Sequence, residues 1–176
     1  MPFTSNPDLL DGAAVYAGQI ADSNDYSTRT YYNAETAAVI PFGYGVVLGT
    51  AANADKTFAP GILPAAASTN FLGVAVKTEG IEYKTGTAGT DPLVSVTASG
   101  VIGYPVDHSM RVLYSGVIGV VVNGTVAAGD AVYVVDTTAD FGMFRNDDTN
   151  ATLVTGAKFL EAGDDGDVVR AAFNLA

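Results

Sequence analysis

Catalysis needs positioned acids, bases or nucleophiles, and this chain of 176 residues offers few. His108 is the single histidine, so no histidine metal cluster forms within one chain. It stands in Pro105-Val106-Asp107-His108-Ser109. Triad members converge from separate segments, so three adjacent residues read as an ordinary loop. Cysteine is absent, which removes disulfides, thiolate metal sites and cysteine nucleophiles. Asp164-Asp165-Gly166-Asp167 carries oxygen donors suited to calcium, but the run is too short for an EF-hand loop and lacks its spaced bidentate Glu. It reads as a charged turn before a strand, as does Asp147-Asp148-Thr149-Asn150. Gly43-Tyr44-Gly45 leads into a strand rather than a helix, so it is no phosphate cradle. Asn123-Gly124-Thr125 and Asn150-Ala151-Thr152 match the glycosylation pattern, which has no weight without a secretory leader. The expectation is a protein that is not an enzyme, with no cofactor and no metal.

The charge excludes a further class. Eight Lys plus Arg face 19 Asp plus Glu, a formal net charge of −11, and the first 55 residues hold one basic residue, Arg29. Nucleic-acid binders need clustered cations to release counterions from phosphates, so direct nucleic-acid contact is not expected. Apolar residues come in short runs, never the ~18 that a membrane span needs, so no membrane partner is expected either. The start, Met1-Pro2-Phe3-Thr4-Ser5-Asn6, lacks a basic region followed by an apolar stretch and does not read as a secretion signal. With 48% hydrophobic residues, one domain of this length can bury roughly 70% of its unfolded surface.

The elements that must carry any function come next. Residues 1–38 lack sustained apolar runs and hold Tyr16, Tyr26, Tyr31 and Tyr32. Asp8 to Val15 suits a turn or two of helix; the remainder reads as extended. This is the expected N-terminal arm. Tyr buries much area and keeps a polar tip, which suits an interface, although the same tyrosines could pack on the chain's own core. Residues 39–176 are expected to form the β domain. Dense strand signals cover Val46–Thr50, Thr57–Ala59, Phe71–Thr78, Leu93–Ala98, Gly100–Pro105, Val112–Tyr114, Val117–Val122, Ala131–Asp136, Phe144–Arg145, Thr152–Phe159 and Val168–Asn174. Asn123-Gly124 predicts a type I′ hairpin into Thr125–Val126. Asn53–Lys56 and Asp147–Asn150 read as loop tips, and Pro64–Thr69 has a slight helical leaning. Short strands at turn spacing without a βαβ rhythm give an all-β class, a compact β-barrel or sandwich.

One phrase occurs twice. Ile40-Pro41-Phe42-Gly43-Tyr44-Gly45-Val46-Val47-Leu48 matches Val126-Ala127-Ala128-Gly129-Asp130-Ala131-Val132-Tyr133-Val134 in pattern, each a glycine-held turn feeding a strand. Downstream, Phe58 answers Phe144 and Phe71-Leu72 answers Phe159-Leu160, which predicts a duplicated unit. Ser99-Gly100-Val101-Ile102-Gly103 also recurs as Ser115-Gly116-Val117-Ile118-Gly119, suggesting two equivalent strand entries.

Tyr16-Ala17-Gly18-Gln19-Ile20-Ala21-Asp22, then Ser27 and Arg29, then Ile40-Pro41-Phe42-Gly43 with Val46-Val47, resembles the opening of tailed-phage structural cement proteins, also called capsid decoration proteins. The likeness continues through Leu72-Gly73-Val74-Ala75-Val76 and Gly129-Asp130-Ala131-Val132-Tyr133-Val134. Gln19 stands where Met is more usual, and the 26–36 segment is longer than the pattern. The resemblance implies a tulip-like β-barrel with an N-terminal arm, and a role on the bacteriophage virion. The protein is then made in the host cytoplasm, sits on the outer surface of the capsid as a homotrimer, and stabilises the shell by bridging neighbouring subunits of its partner, the major capsid protein. Candidate capsid or inter-subunit contacts are Tyr16, Ile20, Tyr26, Arg29, Tyr31 and Tyr32. The competing expectation is a carbohydrate-binding module of a phage tail or cell surface, since exposed Tyr on a β fold suits sugar stacking.

Overall fold

The computed structural model describes residues 15–22, 25–36, 38–50, 57–65, 70–77, 95–96, 102–137 and 140–175. Among these there is no helix. The strands are β1 (Ser27–Asn33), β2 (Ile40–Pro41), β3 (Gly45–Leu48), β4 (Pro60–Ile62), β5 (Phe71–Ala75), β6 (Ser95–Val96), β7 (Ile102–Tyr104), β8 (Ser109–Val121), β9 (Ala131–Val135), β10 (Phe144–Arg145), β11 (Ala151–Phe159) and β12 (Val168–Asn174). The chain is all-β, as expected.

The long sheet runs β1-β4-β3-β5-β8-β12-β11-β9-β10, and β1 also pairs with β8. That extra pairing closes β1, β4, β3, β5 and β8 into a five-stranded barrel. The other end of the sheet turns back in the same way. β10 returns to β8 through a single parallel bridge, Val122 to Phe144, where the Asn123 amide donates to the Phe144 carbonyl at 2.7 Å. β8, β12, β11, β9 and β10 therefore form a second ring. The two follow one plan. β4-β3-β5-β8 in the first corresponds to β10-β9-β11-β12 in the second, and the C-terminal half of β8 takes the place that β1 holds in the first. Pair orientations agree throughout: β1 runs parallel to β4 and antiparallel to β8, as β8 does to β10 and β12. The repeated phrase lies where the plan requires it. Gly43 (φ 77°) and Gly129 (φ 93°) both sit in turns that enter β3 and β9, and both use the left-handed region open to glycine.

The downstream echoes do not align position by position. Phe144 opens β10 fully buried, whereas Phe58 lies before β4 and is 45% exposed. Phe71 begins β5, while Phe159 ends β11. The five-residue repeat also fails as a pair of equivalent entries. Ile102-Gly103 belong to β7 in a separate sheet, β2-β7-β6, and Ile118-Gly119 belong to β8.

Three other expectations change. The arm was expected to reach residue 38, yet Ser27–Asn33 form β1 and close the first barrel. Thr, Arg and Tyr suit a strand exposed at its start and buried at its end. The Asn123-Gly124 turn is not type I′. That turn needs φ above zero at both central residues, and Gly124 alone meets this, at 96°. Val126 pairs with Gly163 instead of returning along β8. The two strands expected at Val112–Tyr114 and Val117–Val122 are one strand, β8, which passes through Gly116 at φ 125°. The expected helical turn at Asp8–Val15 and the loop tip at Asn53–Lys56 lie outside the described residues, apart from Val15, as does most of Pro64–Thr69.

Each ring has its own core. The second holds Phe144, Phe159 and Phe173 with Val120, Val132, Val154 and Val169. The first holds Tyr31, Ile40, Phe42, Val46, Met110 and Val112.

Candidate functional site

Residues 15–22 lie across the seam between the rings. The Gly18 amide donates to the Gly119 carbonyl at 2.8 Å, the Gly119 amide to Gln19 at 3.0 Å, and the Ala21 amide to Val117 at 2.8 Å. Lys77 donates its amide to the Gly18 carbonyl at 2.7 Å. The two motifs of the first half meet here. A Cβ on Gly18 would stand 2.9 Å from the Gly43 nitrogen, and one on Gly43 would stand 2.8 Å from the Gly18 nitrogen. Contacts this short with backbone admit no side chain, so both glycines serve a close approach of chain to chain. The Tyr-Ala-Gly-Gln-Ile-Ala-Asp phrase is thus a clasp over β8, secured by the Ile-Pro-Phe-Gly turn.

The candidate contacts separate into three groups. Tyr16 is 60% exposed, with the Lys77 ammonium 4.7 Å from its ring centroid. Tyr26 is 41% exposed and lies against Gly116. Arg29 is exposed on β1, its guanidinium 4.7 Å from the Tyr114 ring centroid. Ile20 is half-buried, bridged to Ile118 and packed on the second core. Tyr31 and Tyr32 are buried, which corrects the expectation that they face a partner from this chain's surface. Neighbours on a strand point to opposite faces, and here both faces of β1 are covered at that point. Tyr31 enters the first core, beside Met110.

An apolar pocket of about 390 Å³ adjoins the clasp, lined among others by Tyr16, Phe42, Tyr44, Lys77 and Ile102. Burial, with Asp140 nearby, raises the Tyr44 phenol above its ordinary value, so it stays neutral.

Sequence reasoning missed the polar anchors behind this surface. Asn33 is fully buried. Its side-chain amide donates to the carbonyls of Tyr104 at 2.9 Å and Ala38 at 3.0 Å, and its oxygen accepts from the Glu35 amide at 2.9 Å. It ties the end of β1 to the small sheet. The Tyr104 hydroxyl donates to the Val76 carbonyl at 2.5 Å and its ring meets Phe42 edge-on at 5.2 Å. Asp136, also buried, accepts from the Thr137 and Thr152 hydroxyls, both at 2.5 Å. A buried Asn leaves no trace in the spacing of apolar residues, so no signal marked it.

The acidic turns hold themselves. Asp164 accepts from the Thr125 hydroxyl at 3.1 Å, Asp165 from the Gly124 amide at 2.9 Å, and Asp167 from the Asp164 amide at 2.9 Å. Hydrogen bonds from Thr149 and Arg145 hold Asp147 below the usual carboxylate range, and those from Asn146 and Ala127 do so for Asp130. Among the described residues no three His, Cys, Asp or Glu gather as a metal site. His108 turns its Nδ1 toward the Val106 carbonyl, 2.9 Å away, and its own carbonyl accepts from Asn33. Tyr16, Tyr26 and Arg29 present an aromatic and cationic surface on the two rings.

The family model described as structural cement protein (E217 gp24/Pam3 gp6) matches residues 10–174. No curated protein matches the sequence. Among solved structures, a chain in the capsid of Myoviridae phage XM1 is similar in fold, with a TM-score of 0.63 at 19% identity over 91% of this chain and 90% of that one.

Proposed function

The chain belongs to the phage structural cement protein family, and we propose that it acts on the outer surface of the capsid, as a homotrimer bridging neighbouring major capsid protein subunits. The cement role itself comes with the family, as does a structural rather than catalytic task. The match over residues 10–174 carries this reading, because it takes in the clasp, the repeated turns and both rings. Adhesion needs area spread over several partners. A trimer that touches several subunits makes modest contacts act together, and release becomes slow. Each specific interface should exceed roughly 1,000 Å² in total.

Tyr16, Tyr26 and Arg29 are the contact candidates that remain open, while Ile20 packs on the second core. Trimerisation must overcome the repulsion of chains that each carry a net charge of −11. Salt screens spread charges over roughly 8 Å, and apolar and hydrogen-bonded contacts supply the remainder.

The test mixes the purified chain with expanded, undecorated capsids. Saturable binding at a fixed ratio to the capsid subunit supports the proposal, and its absence refutes it. Deleting residues 1–14 tests the part of the arm that precedes the clasp. A deletion to residue 30 would remove half of β1 and break the barrel. Unchanged capsid binding by the shorter deletion would remove those residues from the mechanism.

A further inference from the structure

The outer edge of β1 is covered only in part. The Tyr32 amide donates to the Ala59 carbonyl at 3.1 Å, toward β4, and the Asn33 amide to the His108 carbonyl at 2.9 Å, on the side of β8. Backbone groups of successive strand residues alternate between the two edges. The N–H and C=O of Thr28 and Thr30 therefore turn away from β8, as those of Tyr32 do. Among the described residues, β4 pairs with β1 at Tyr32 and Asn33, and no backbone hydrogen bond reaches Thr28 or Thr30 on that edge. The second ring shows what such an edge takes. There the C-terminal half of β8 holds the place of β1, and the clasp lies along it: Gly18 donates to Gly119, Gly119 to Gln19 and Ala21 to Val117. An extended segment fills in the second ring the edge that is open in the first. Natural edges are commonly blunted by proline, lysine or a bulge. Ser27–Asn33 holds neither proline nor lysine, and its one shift of register with β8 falls before Thr28.

We propose that the Thr28–Thr30 edge of β1 is completed by an extended segment of the major capsid protein, added as a further strand. The inference rests on the capsid-bridging reading above and names the backbone through which the shell protein is gripped. A strand added in this way draws affinity from main-chain hydrogen bonds and specificity from its side chains. The clasp of the same chain is not the occupant, because it is spent on β8 and leads directly into β1. Register argues against a second copy. Antiparallel pairing of two β1 edges that uses both Thr28 and Thr30 sets Thr28 opposite Thr30, and so Arg29 opposite Arg29. Like charges directly opposite are destabilising. The occupant is thus a segment of different sequence, free of proline where it pairs. A carboxylate on it suits Arg29, whose exposed guanidinium is held on the Tyr114 ring at 4.7 Å.

The measurement is hydrogen exchange of the full chain, read residue by residue, free and bound to undecorated capsids. In the free chain the Thr28 and Thr30 amides should exchange fast, and those of Arg29 and Tyr31, which face β8, slowly. On capsids Thr28 and Thr30 should become protected. Thr30→Pro removes an outward donor, which an edge strand tolerates. It should raise the dissociation constant for capsids about tenfold. If that variant does not fold, exchange in the parent decides alone. Protection of Thr28 and Thr30 already in the free chain overturns the proposal, as does undiminished capsid binding by folded Thr30→Pro. Fast exchange at both residues in a parent that does bind capsids also overturns it, and leaves the capsid-bridging reading standing. A parent that binds no capsid overturns both. Protection that appears on self-association without capsids assigns the edge to a second copy and overturns the choice of occupant.

Discussion

The second ring's core gathers three phenylalanines, Phe144, Phe159 and Phe173, whereas the first holds one, Phe42, together with Tyr31 and Tyr104. Phe144 lies 5.8 Å from Phe173, centroid to centroid, and 6.2 Å from Phe71. The first barrel encloses Met110 beside Gly61, where a Cβ would stand 2.3 Å from the Met110 methyl and 2.9 Å from Val46. Both interiors hold aromatic rings, but in the first a flexible thioether also uses the room a glycine leaves. Strand order and orientation are the same in both. What survives between the two halves is therefore the hydrogen-bonding plan and the glycine turns that permit it, while the filling has diverged. Two of the three register shifts among the described strands coincide with glycine. β3 and β5 shift between Val46 and Val47, opposite Gly73 (φ 141°), and β11 shifts between Leu153 and Lys158, around Gly156 (φ 86°).

Substitutions can break this contrast. Phe144→Ala removes a fully buried ring and should cost about 3–5 kcal/mol by chemical denaturation, the largest effect expected. Hydrogen exchange in that variant should rise more in β10 and β12 than in β1 and β4. Met110→Ala should cost about 2–3 kcal/mol, since a flexible side chain leaves a site that relaxes more readily. Its exchange should rise first in β1 and β4. Equal costs with identical exchange patterns would mean that the two cores behave as one. Tyr104→Phe leaves the Val76 carbonyl without its hydroxyl donor and should cost about 1–2 kcal/mol, felt on the first barrel's side.

The smallest effect concerns one ion pair of the second ring, Arg170 with Glu161. Hydrogen bonds from the Arg170 side chain hold the Glu161 carboxylate below its usual range. A carboxylate depressed on folding contributes stability above its unfolded pKa and loses it as pH falls through the folded one. Glu161→Gln should therefore cost less than about 1 kcal/mol at neutral pH, because both side chains are partly open to solvent and screened. The difference from the parent should vanish in acid. A penalty that persists at acid pH would show that packing, not charge, is at stake.

Much of this was legible beforehand. Val168–Asn174 and Phe144–Arg145 are strands at the expected bounds, because alternation and flanking turns both mark them. The glycine turns announced the duplication. β1 was not visible, since Ser27-Thr28-Arg29-Thr30 shows no apolar alternation and earns its place only by closing a barrel. Gly116 read as a break because local rules cannot see that Tyr26 packs over it and lets the strand continue. For the surface, Tyr16, Tyr26 and Arg29 were identified and are exposed. Tyr31 and Tyr32 were misjudged, because whether an aromatic faces a partner or a core depends on what covers the second face of its strand. No single segment holds that information.

β8 belongs to both rings along one unbroken backbone. Its first half is registered against β1 and its second half against β12, each antiparallel and each through many successive residues. Tension applied between the rings runs along the strand axis and loads these hydrogen bonds in shear, so they must fail together rather than peel apart singly. A shell under internal pressure would then pull on covalent chain where a two-part clamp would offer only a glued joint.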